Sequence, residues 1–233
     1  MIICIIPARS GSKRIPGKNS KKFLGKPIIS YSIENAINSG LFDRVIVSTD
    51  SEAKAEISSQ CGAEIPFMRP KHLSDDFSNT NDVMKHAIKW LQDDGEKIKF
   101  VCCLYPTTPL LDSSYLKVGL ELLQTNNNKS FAFSVCKYSS PIQRSFQISN
   151  DNIQMLFPDN SSLRTQDLNE TYHDAGQFYW GLPDAFLQDK NIFSASSIPV
   201  LLPKNHVVDI DNIEDWDWAE TIFTARSFKN SIT

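Results

Sequence analysis

Residues 1–19 read MIICIIPARSGSKRIPGKN and place an apolar run directly before a strongly basic loop. The run is typical of a buried strand. The loop holds Arg9, Lys13, Arg14 and Lys18 and no acidic residue. In open α/β sheets, ligands bind outside the carboxyl ends of the strands, and the backbone N–H groups of such turns attract anions. The stretch therefore predicts a sheet whose first loop binds a small anion.

Apolar strand-like runs alternate with amphipathic segments further along the chain. The run FVCCLY at 100–105 is wholly apolar and predicts a central strand. Such alternation predicts an α/β fold, with a Rossmann-like, mostly parallel sheet and helices on both faces. The predicted strands are 1–6, 44–50, 100–105, 176–181 and 207–210, and the predicted helices are 27–38, 51–60, 81–91, 113–123 and one through Trp216, Ala219 and Ile222.

The pattern changes after Val135. The segment Lys137–Asp174 is polar and irregular, with the turn clusters SSP, SNDN and PDNSS. It could be a disordered loop, but apolar residues such as Phe146 and Ile148 favour a small lobe or dimerisation arm. We therefore predict a main α/β domain formed by 1–136 and 175–233, with 137–174 as an inserted arm.

Composition excludes several classes of protein. The 233 residues suit one α/β domain, and the net charge of −3 argues against a general nucleic-acid binder. No apolar run approaches the ~20 residues of a membrane span. The N-terminus has neither the charged segment nor the small-residue cleavage site of a leader. We expect a cytoplasmic protein with no nucleic-acid or membrane partner.

Two common phosphate-binding loops do not match the basic loop. Five residues separate Gly11 from Gly17, and Asn19 follows Lys18, so the spacing and hydroxyl of a P-loop are both missing. The glycine pattern of dinucleotide-binding folds is also absent. A solvated basic loop stays an alternative for Lys13 and Arg14 taken alone.

Five motifs together carry a resemblance to a known family. The chain resembles the acylneuraminate (CMP-nonulosonate) cytidylyltransferases, which couple CTP to a nine-carbon sugar acid and release pyrophosphate. The resemblance implies a sheet of the nucleotide-diphospho-sugar transferase type and a homodimer whose arms complete shared active sites. The motifs, in family order, are IPARSGSKRIPGKN at 6–19, STD at 48–50, RPKHLSDDFSNTND at 69–82, LYPTTPL at 104–110 and VDIDNIEDW at 208–216.

The resemblance assigns nucleotide-binding roles. Arg9 and Lys18 are implied to contact the phosphates of CTP, and Asn19 to lie near the ribose. Arg69 is implied to line the cytidine pocket. One of the polar residues at 78–80 could instead only cap the following helix. The full implied nucleotide set is Ala8, Arg9, Ser12, Lys13, Lys18, Asn19, Arg69, Ser78 and Thr80.

Asp209 and Asp211 flank Ile210 near the C-terminus. On a strand, both carboxylates would face one side while Ile210 faces the core. Such a pair also occurs at solvated strand ends, but the family match favours a Mg²⁺ site, since Mg²⁺ is usually held by one or two carboxylates and substrate phosphates. The implied catalytic residues are Arg9, Lys18 and Asp211, with Asp211 the nearest candidate for a base.

Two departures from the best-known relatives concern the sugar. Tyr105 replaces the Gln of the sialic-acid-activating branch, and the stretch 164–181 most resembles the branch that activates pseudaminic acid. This implies an aromatic sugar pocket that includes Phe178 and Tyr179, although Phe178 and Trp180 could instead be core residues. The implied sugar-binding residues are Tyr105, Arg144, Arg164, His173, Gln177, Phe178 and Tyr179.

Several alternatives stay open. Arg144 and Arg164 could reach the partner's site and bind the sugar carboxylate, or form surface salt bridges. The substrate could be N-acetylneuraminic or legionaminic acid in place of pseudaminic acid. A non-catalytic nucleotide-binding protein of the same fold is the alternative from another class. A nucleotidyltransferase for another sugar phosphate fits poorly, because its usual glycine-rich loop is missing.

Overall fold

A computed structural model of the chain describes residues 1–75 and 78–232, with the side chains of 230–232 excepted. The motif at 69–82 therefore contains two residues, 76 and 77, that lie outside the description. The strands are β1 (Ile2–Pro7), β2 (Lys22–Phe23), β3 (Lys26–Pro27), β4 (Arg44–Ser48), β5 (Phe100–Leu104), β6 (Phe131–Lys137), β7 (Phe146–Ser149), β8 (Asn152–Met155), β9 (Tyr172–Gly181) and β10 (Ser197–Leu202). The helices are α1 (Ile28–Asn38), α2 (Glu52–Gln60), α3 (Thr80–Asp93), α4 (Ser113–Thr125), α5 (Pro183–Leu187) and α6 (Ile213–Ile232).

Six strands form the central sheet, in the order β10-β6-β9-β5-β1-β4. Strands β4, β1 and β5 pair in parallel, as do β6 and β10, whereas β9 runs antiparallel to both of its neighbours. The prediction of a mostly parallel α/β sheet is confirmed, and β5 lies inside the sheet as its apolar sequence predicts. The antiparallel direction of β9 has no sequence signal, since its composition is that of any buried strand.

Alternate strand residues pack on opposite faces of the sheet, and helices cover both. Cys4 and Cys102 face the layer that contains α1 and α4, while Ile5 and Cys103 face α3 and α5. Helix α3 shows how sequence selects this arrangement, because its apolar residues recur along one helical face and are buried. Those residues are Val83, Met84, Ala87, Ile88 and Leu91.

The predicted strand at 207–210 is wrong. After β10 the chain passes Pro203 and a 3-10 turn at Lys204–His206, and 207–210 then runs without regular hydrogen-bonded pairing. Ile210 is buried as expected, in a third cluster with Ile15, Phe23 and Trp216. Through this cluster the basic loop after β1 packs against the start of α6, so residues from both ends of the chain lie close together.

The inserted segment forms an open hairpin. Strands β7 and β8 pair only with each other, and their apolar side chains are exposed, with Ile148 73% and Ile153 67% accessible. Strand β9 begins at Tyr172, and its first residues pair with Val135–Lys137 of β6. The sheet therefore resumes three residues before position 175, where the second part of the main domain is predicted to begin.

Candidate active site

A cavity of about 600 Å³ opens at the carboxyl ends of β1, β4 and β5. Ala8 N–H donates to the Ser48 carbonyl at 2.9 Å, and Asn19 Nδ2 donates to the Arg9 carbonyl at 3.3 Å. These contacts fold the basic loop back over the strand ends. The predicted site residues that line this cavity are Arg9, Ser12, Lys13, Lys18, Asn19, Arg69, Ser78, Thr80, Tyr105 and Asp211.

The Lys18 side chain is 21% exposed and connects the basic loop to the C-terminal segment. Its Nζ donates to the Ile210 carbonyl at 2.6 Å and lies 3.8 Å from Asp211 Oδ1. Burial lowers the pKa of Lys18, and the charges of Asp211 and Asp209 oppose that shift. A partly desolvated ammonium held in this way provides a strong and fixed positive charge for an anionic ligand.

Arg14 also lines the cavity, a position that sequence analysis leaves open. Its Nη2 donates to Asp211 Oδ1 at 2.7 Å. The two residues stand 197 positions apart, so no local pattern could have found the pair. Among the described residues, the cavity lining contains several cations of the basic loop and one carboxylate, that of Asp211.

The far end of the cavity is formed by Arg69 and the start of α3. Arg69 is 5% exposed, and its guanidinium donates to the carbonyl and the hydroxyl of Ser48. Burial lowers the pKa of Arg69 to about 10. Asn79 caps α3 by accepting from the Asp82 N–H at 2.9 Å and lines the cavity as well. Helix capping and ligand contact are thus compatible here, since a helix N-terminus presents unpaired N–H groups.

Ser78 lies beside this cap. Its Oγ is 2.7 Å from Asp75 Oδ1 and 3.1 Å from the His72 carbonyl. The hydroxyl therefore has partners within its own loop, while its position still faces the cavity. Arg9 reaches the same loop, because its Nη1 donates to the Asp75 carbonyl at 2.8 Å.

A smaller pocket of about 180 Å³ adjoins the main cavity across Thr80 and Tyr105, and its exposed lining is mostly apolar. The Tyr105 hydroxyl lies 3.3 Å from Thr80 Oγ1, and its ring lies 5.4 Å from that of Tyr179. Tyr179 donates to Asp174, and burial raises the pKa of Tyr105 to about 12. The hydroxyls therefore stay protonated, and the two tyrosines form an aromatic wall with donors at its ends.

Phe178 does not belong to this wall. Its side chain is fully buried with Trp180 on the opposite face of the sheet, against α4. Adjacent strand residues alternate in direction, so Tyr179 in the pocket requires Phe178 in the core. The alternative that Phe178 and Trp180 are core residues is the correct one.

Four further predicted residues lie away from the main cavity. The Ala8 methyl group is buried in the core, and Gln177 is buried with its Nε2 donating to the Ala175 carbonyl. Arg144 donates to the Leu163 carbonyl, and Arg164 pairs with Asp167 at 3.1 Å. Both arginines therefore bond within the arm of their own subunit, and neither reaches this cavity within one chain.

The two predicted metal ligands face adjoining cavities. Asp211 borders the main cavity, whereas Asp209 and His173 border a neighbouring cavity of about 690 Å³. Burial and then the charge of Asp211 raise the pKa of Asp209, so the two carboxylates lie close enough to repel. Within the described ranges, no three His, Cys, Asp or Glu residues form a complete metal-binding group. The pair would need substrate oxygens to complete a coordination shell.

The sheet order and the cavity at its strand ends define an α/β nucleotidyltransferase fold. A solved CMP:2-keto-3-deoxy-manno-octonic acid synthetase in complex with CTP superimposes with a TM-score of 0.69 over 97% of this chain and 99% of that one, at 14% identity. A family model described as cytidylyltransferase matches residues 3–205. This chain belongs to that cytidylyltransferase family.

Curated relatives support the assignment over nearly the whole length. The pseudaminic acid cytidylyltransferase of Campylobacter jejuni serotype O:2 is 46% identical over 95% of both chains. The N-acylneuraminate cytidylyltransferase of Escherichia coli O18:K1:H7 is 31% identical over 95% of this chain and 52% of its own length. The resemblance drawn from the five sequence motifs is thereby confirmed.

Proposed function

We propose that this protein transfers CMP from CTP to pseudaminic acid and releases pyrophosphate. The observation that carries the proposal is the cavity at the strand ends, where the cations of the basic loop face Asp211 beside a mostly apolar pocket. The 46% identity to a pseudaminic acid cytidylyltransferase over 95% of both chains supports the choice of sugar.

The cations of the loop suit the triphosphate. Arg9, Lys13 and Lys18 line the cavity, and together they offset most of the roughly four negative charges of CTP. As the sugar hydroxyl attacks the α-phosphorus, a new P–O bond forms and the bond to pyrophosphate breaks. Charge then grows on the leaving group, where fixed positive groups stabilise it. The hydroxyl proton passes to a carboxylate, for which Asp211 is our candidate.

The pair Asp209 and Asp211 fits a magnesium ion. Two carboxylates that repel one another form an anionic donor set suited to a hard cation, and the phosphates of CTP would complete the shell. A bound Mg²⁺ would polarise the α-phosphate and lower the pKa of the attacking hydroxyl. Lys18 and Arg14 both pair with Asp211 and already offset part of this charge.

The mostly apolar pocket suits a sugar with fewer hydroxyl groups. Tyr105, Tyr179 and Phe193 supply its aromatic surface, and Met84 and Ile192 add aliphatic surface. A deoxygenated chain end or an acyl methyl group would bury apolar area there, at about 25 cal/mol per Å². Polar hydroxyl groups of a fully hydroxylated relative would lose water contacts in the same place.

A homodimer whose subunits share their active sites would explain why the arm exposes apolar side chains. Exposed apolar side chains on one hairpin indicate an interaction surface, and Phe146, Ile148, Ile153 and Leu156 are all at least 48% exposed. We assign the arm, 137–174, to dimerisation, with Arg144 and Arg164 directed to the partner's sugar site. Mixing Asp211→Asn with Arg164→Ala protein tests this, because mixed dimers would regain one intact site. Mixtures that stay as inactive as the separate variants would contradict shared sites.

We place the enzyme in the cytoplasm, where its nucleotide substrate is available. No helix in the described part of the chain is long and apolar enough to cross a membrane. All five cysteines are unpaired, and four of them are buried, which suits a reducing compartment.

Pyrophosphate release tests the function directly. With CTP and Mg²⁺, we expect turnover with pseudaminic acid and at most weak turnover with N-acetylneuraminic acid at equal concentration. Preference for N-acetylneuraminic acid would keep the reaction and overturn the substrate. Absence of turnover with both acids and with legionaminic acid would favour a non-catalytic nucleotide-binding protein.

A further inference from the structure

Ser10 is held at three atoms by two residues outside the basic loop. Its N–H donates to Asp50 Oδ1 at 2.6 Å, and its hydroxyl donates to Asp50 Oδ2 at 2.5 Å. Its carbonyl accepts from Lys54 Nζ at 3.3 Å. We call this arrangement of Asp50, Lys54 and Ser10 the Ser10 clamp.

The clamp stands where the chain enters the cavity. Ser10 does not line the cavity, whereas Gly11, Ser12, Lys13 and Arg14, which follow it, all do. Holding both the N–H and the carbonyl of one residue fixes the two peptide planes beside it, and so sets the direction of the next residues. A loop fixed before its ligand arrives loses less conformational entropy on binding.

Both clamp residues are unusually placed for charged groups. Lys54 is only 7% exposed although it lies on a helix. Burial raises the pKa of Asp50, but the hydrogen bonds from the Ser10 side chain and backbone outweigh it, and the net pKa lies below its usual value. The Asp50 carboxylate and the Lys54 ammonium therefore both have Ser10 as a hydrogen-bond partner.

We infer that Asp50, assisted by Lys54, is a positioning residue that presets the phosphate-binding loop for the triphosphate. The inference rests on the proposed function, since it assigns CTP phosphates to residues 11–14. Asp50 is not among the described residues that line the cavity, and it acts there through its bonds to Ser10 and its electrostatic attraction to Arg69.

Another carboxylate of the chain, with a purely structural contact, provides a matched control for Asp50. Asp43 Oδ2 accepts from the Ile2 N–H at 2.6 Å, the same contact as that between Asp50 and Ser10. It lies at the amino ends of β1 and β4, the opposite edge of the sheet from the cavity. Asp43→Ala thus removes a comparable bond without disturbing the phosphate loop.

Calorimetric titration with CTP and with cytidine distinguishes a loss of loop positioning from a general loss of stability. We expect Asp50→Ala to weaken CTP binding by about tenfold and to leave cytidine binding within about twofold, because cytidine lacks the triphosphate that we assign to residues 11–14. Asp43→Ala should change neither affinity. Asp50→Asn keeps an acceptor for the Ser10 N–H and should restore part of the CTP affinity.

Ser10→Ala keeps the backbone contacts and removes only the hydroxyl bond, so it provides a milder test if Asp50→Ala does not fold. We expect a smaller loss confined to CTP. Unchanged CTP affinity in both variants, or an equal loss for cytidine and CTP, would overturn the inference while the wild-type protein still binds CTP. Failure of the wild-type protein to bind CTP would overturn the proposed function, and this inference with it.

Discussion

Arg14 and Asp211 form an ion pair of 2.7 Å across the mouth of the cavity, although they lie 197 residues apart. The arginine side chain is 68% exposed and the aspartate 38%. Exposed pairs of this kind are worth about 0–1 kcal/mol, so the contact is easily exchanged. We therefore expect a metal ion that binds Asp211 to displace Arg14.

Arg14→Gln should strengthen metal binding to the protein without nucleotide. Removing the competing cation frees Asp211, and a pair worth up to about 1 kcal/mol corresponds to about a fivefold gain in affinity. The KM for CTP should rise at the same time, because the loop loses a positive charge. Mn²⁺ binding followed by electron paramagnetic resonance measures the first effect.

Lys117→Gln serves as the control for Arg14→Gln, since Lys117 pairs with Glu121 on the exposed face of α4 at 3.9 Å. It should leave both metal and CTP binding unchanged. Weaker metal binding in Arg14→Gln would show that Arg14 supports the metal site and does not compete with it.

Asp211→Asn should reduce turnover by at least about a hundredfold. The amide keeps the shape of the side chain but removes the charge that we assign to metal binding and proton transfer. Asp217→Asn, on the exposed face of α6, is the matched control and should keep full activity. Thermal unfolding of both variants checks that the fold is intact, and near-normal turnover in Asp211→Asn would refute its catalytic role.

The sequence predicts the alternating strands and helices well, because burial requires apolar residues at regular spacings along each element. Strands β1, β4 and β5 and helices α1 to α4 begin and end within two residues of the predicted bounds. The stretch 207–210 misleads, because Val207, Val208 and Ile210 are apolar at strand-like spacing. Val207 packs against the core cluster that contains α1 and α4 residues, and Val208 and Ile210 pack with α6 and the basic loop. No local pattern distinguishes such packing from that of a strand.

Site residues can be predicted from this sequence only where they stand in a recognisable motif and the motif itself indicates their role. Asp50 stands in the STD motif, but its bonds to Ser10 join separate segments, and so its role has no sequence signal. Phe178 and Tyr179 stand in a recognisable motif, but both are aromatic. The sequence does not tell which of the two side chains faces the pocket, because that depends on how β9 is placed in the sheet. The role that we propose for Arg144 and Arg164 depends on a second subunit, and a single chain cannot test it.

Gly119→Ala tests the assignment of Phe178 and Trp180 to the core. A Cβ at position 119 would lie 2.7 Å from Trp180 Cδ1 and 3.1 Å from Phe178 Cε2. The resulting overlap should cost about 1–3 kcal/mol, more than the roughly 1 kcal/mol that alanine adds to helix propensity. Chemical denaturation measures the loss. Lys117→Ala on the same helix should change stability by less than about 0.5 kcal/mol, and a stabilised Gly119→Ala would contradict the packing.

His86 should make the protein less stable at mildly acidic pH. Burial, and then the charges of Arg69 and His72, lower the pKa of His86 below that of the unfolded chain. The folded state therefore favours the neutral ring, which packs edge-on against Phe67 at 4.9 Å. Its contribution is complete above the unfolded pKa near 6.5 and is lost as the pH falls through the lower folded value.

The measurement is the melting temperature between pH 7.5 and about 5, which brackets the ordinary titration range of histidine. His86→Gln cannot take up the proton, so its melting temperature should fall less steeply than that of the wild type. Parallel slopes in wild type and His86→Gln would exclude His86 as the acid-sensitive group.

Tyr105→Gln tests whether the aromatic wall selects the sugar. Tyr105 separates the main cavity from the apolar pocket, and its ring contributes surface to both. Replacing the ring with an amide removes apolar contact area and adds a polar group, so kcat/KM for pseudaminic acid should fall by about tenfold. The value for N-acetylneuraminic acid should fall less or rise. Tyr105→Phe keeps the ring and loses the hydroxyl bonds to Thr80 and Tyr179, so it should retain the preference. An equal loss for both sugars in Tyr105→Gln would assign the residue to nucleotide binding or to folding, and selection would then have to come from Tyr179 or from the partner's arm.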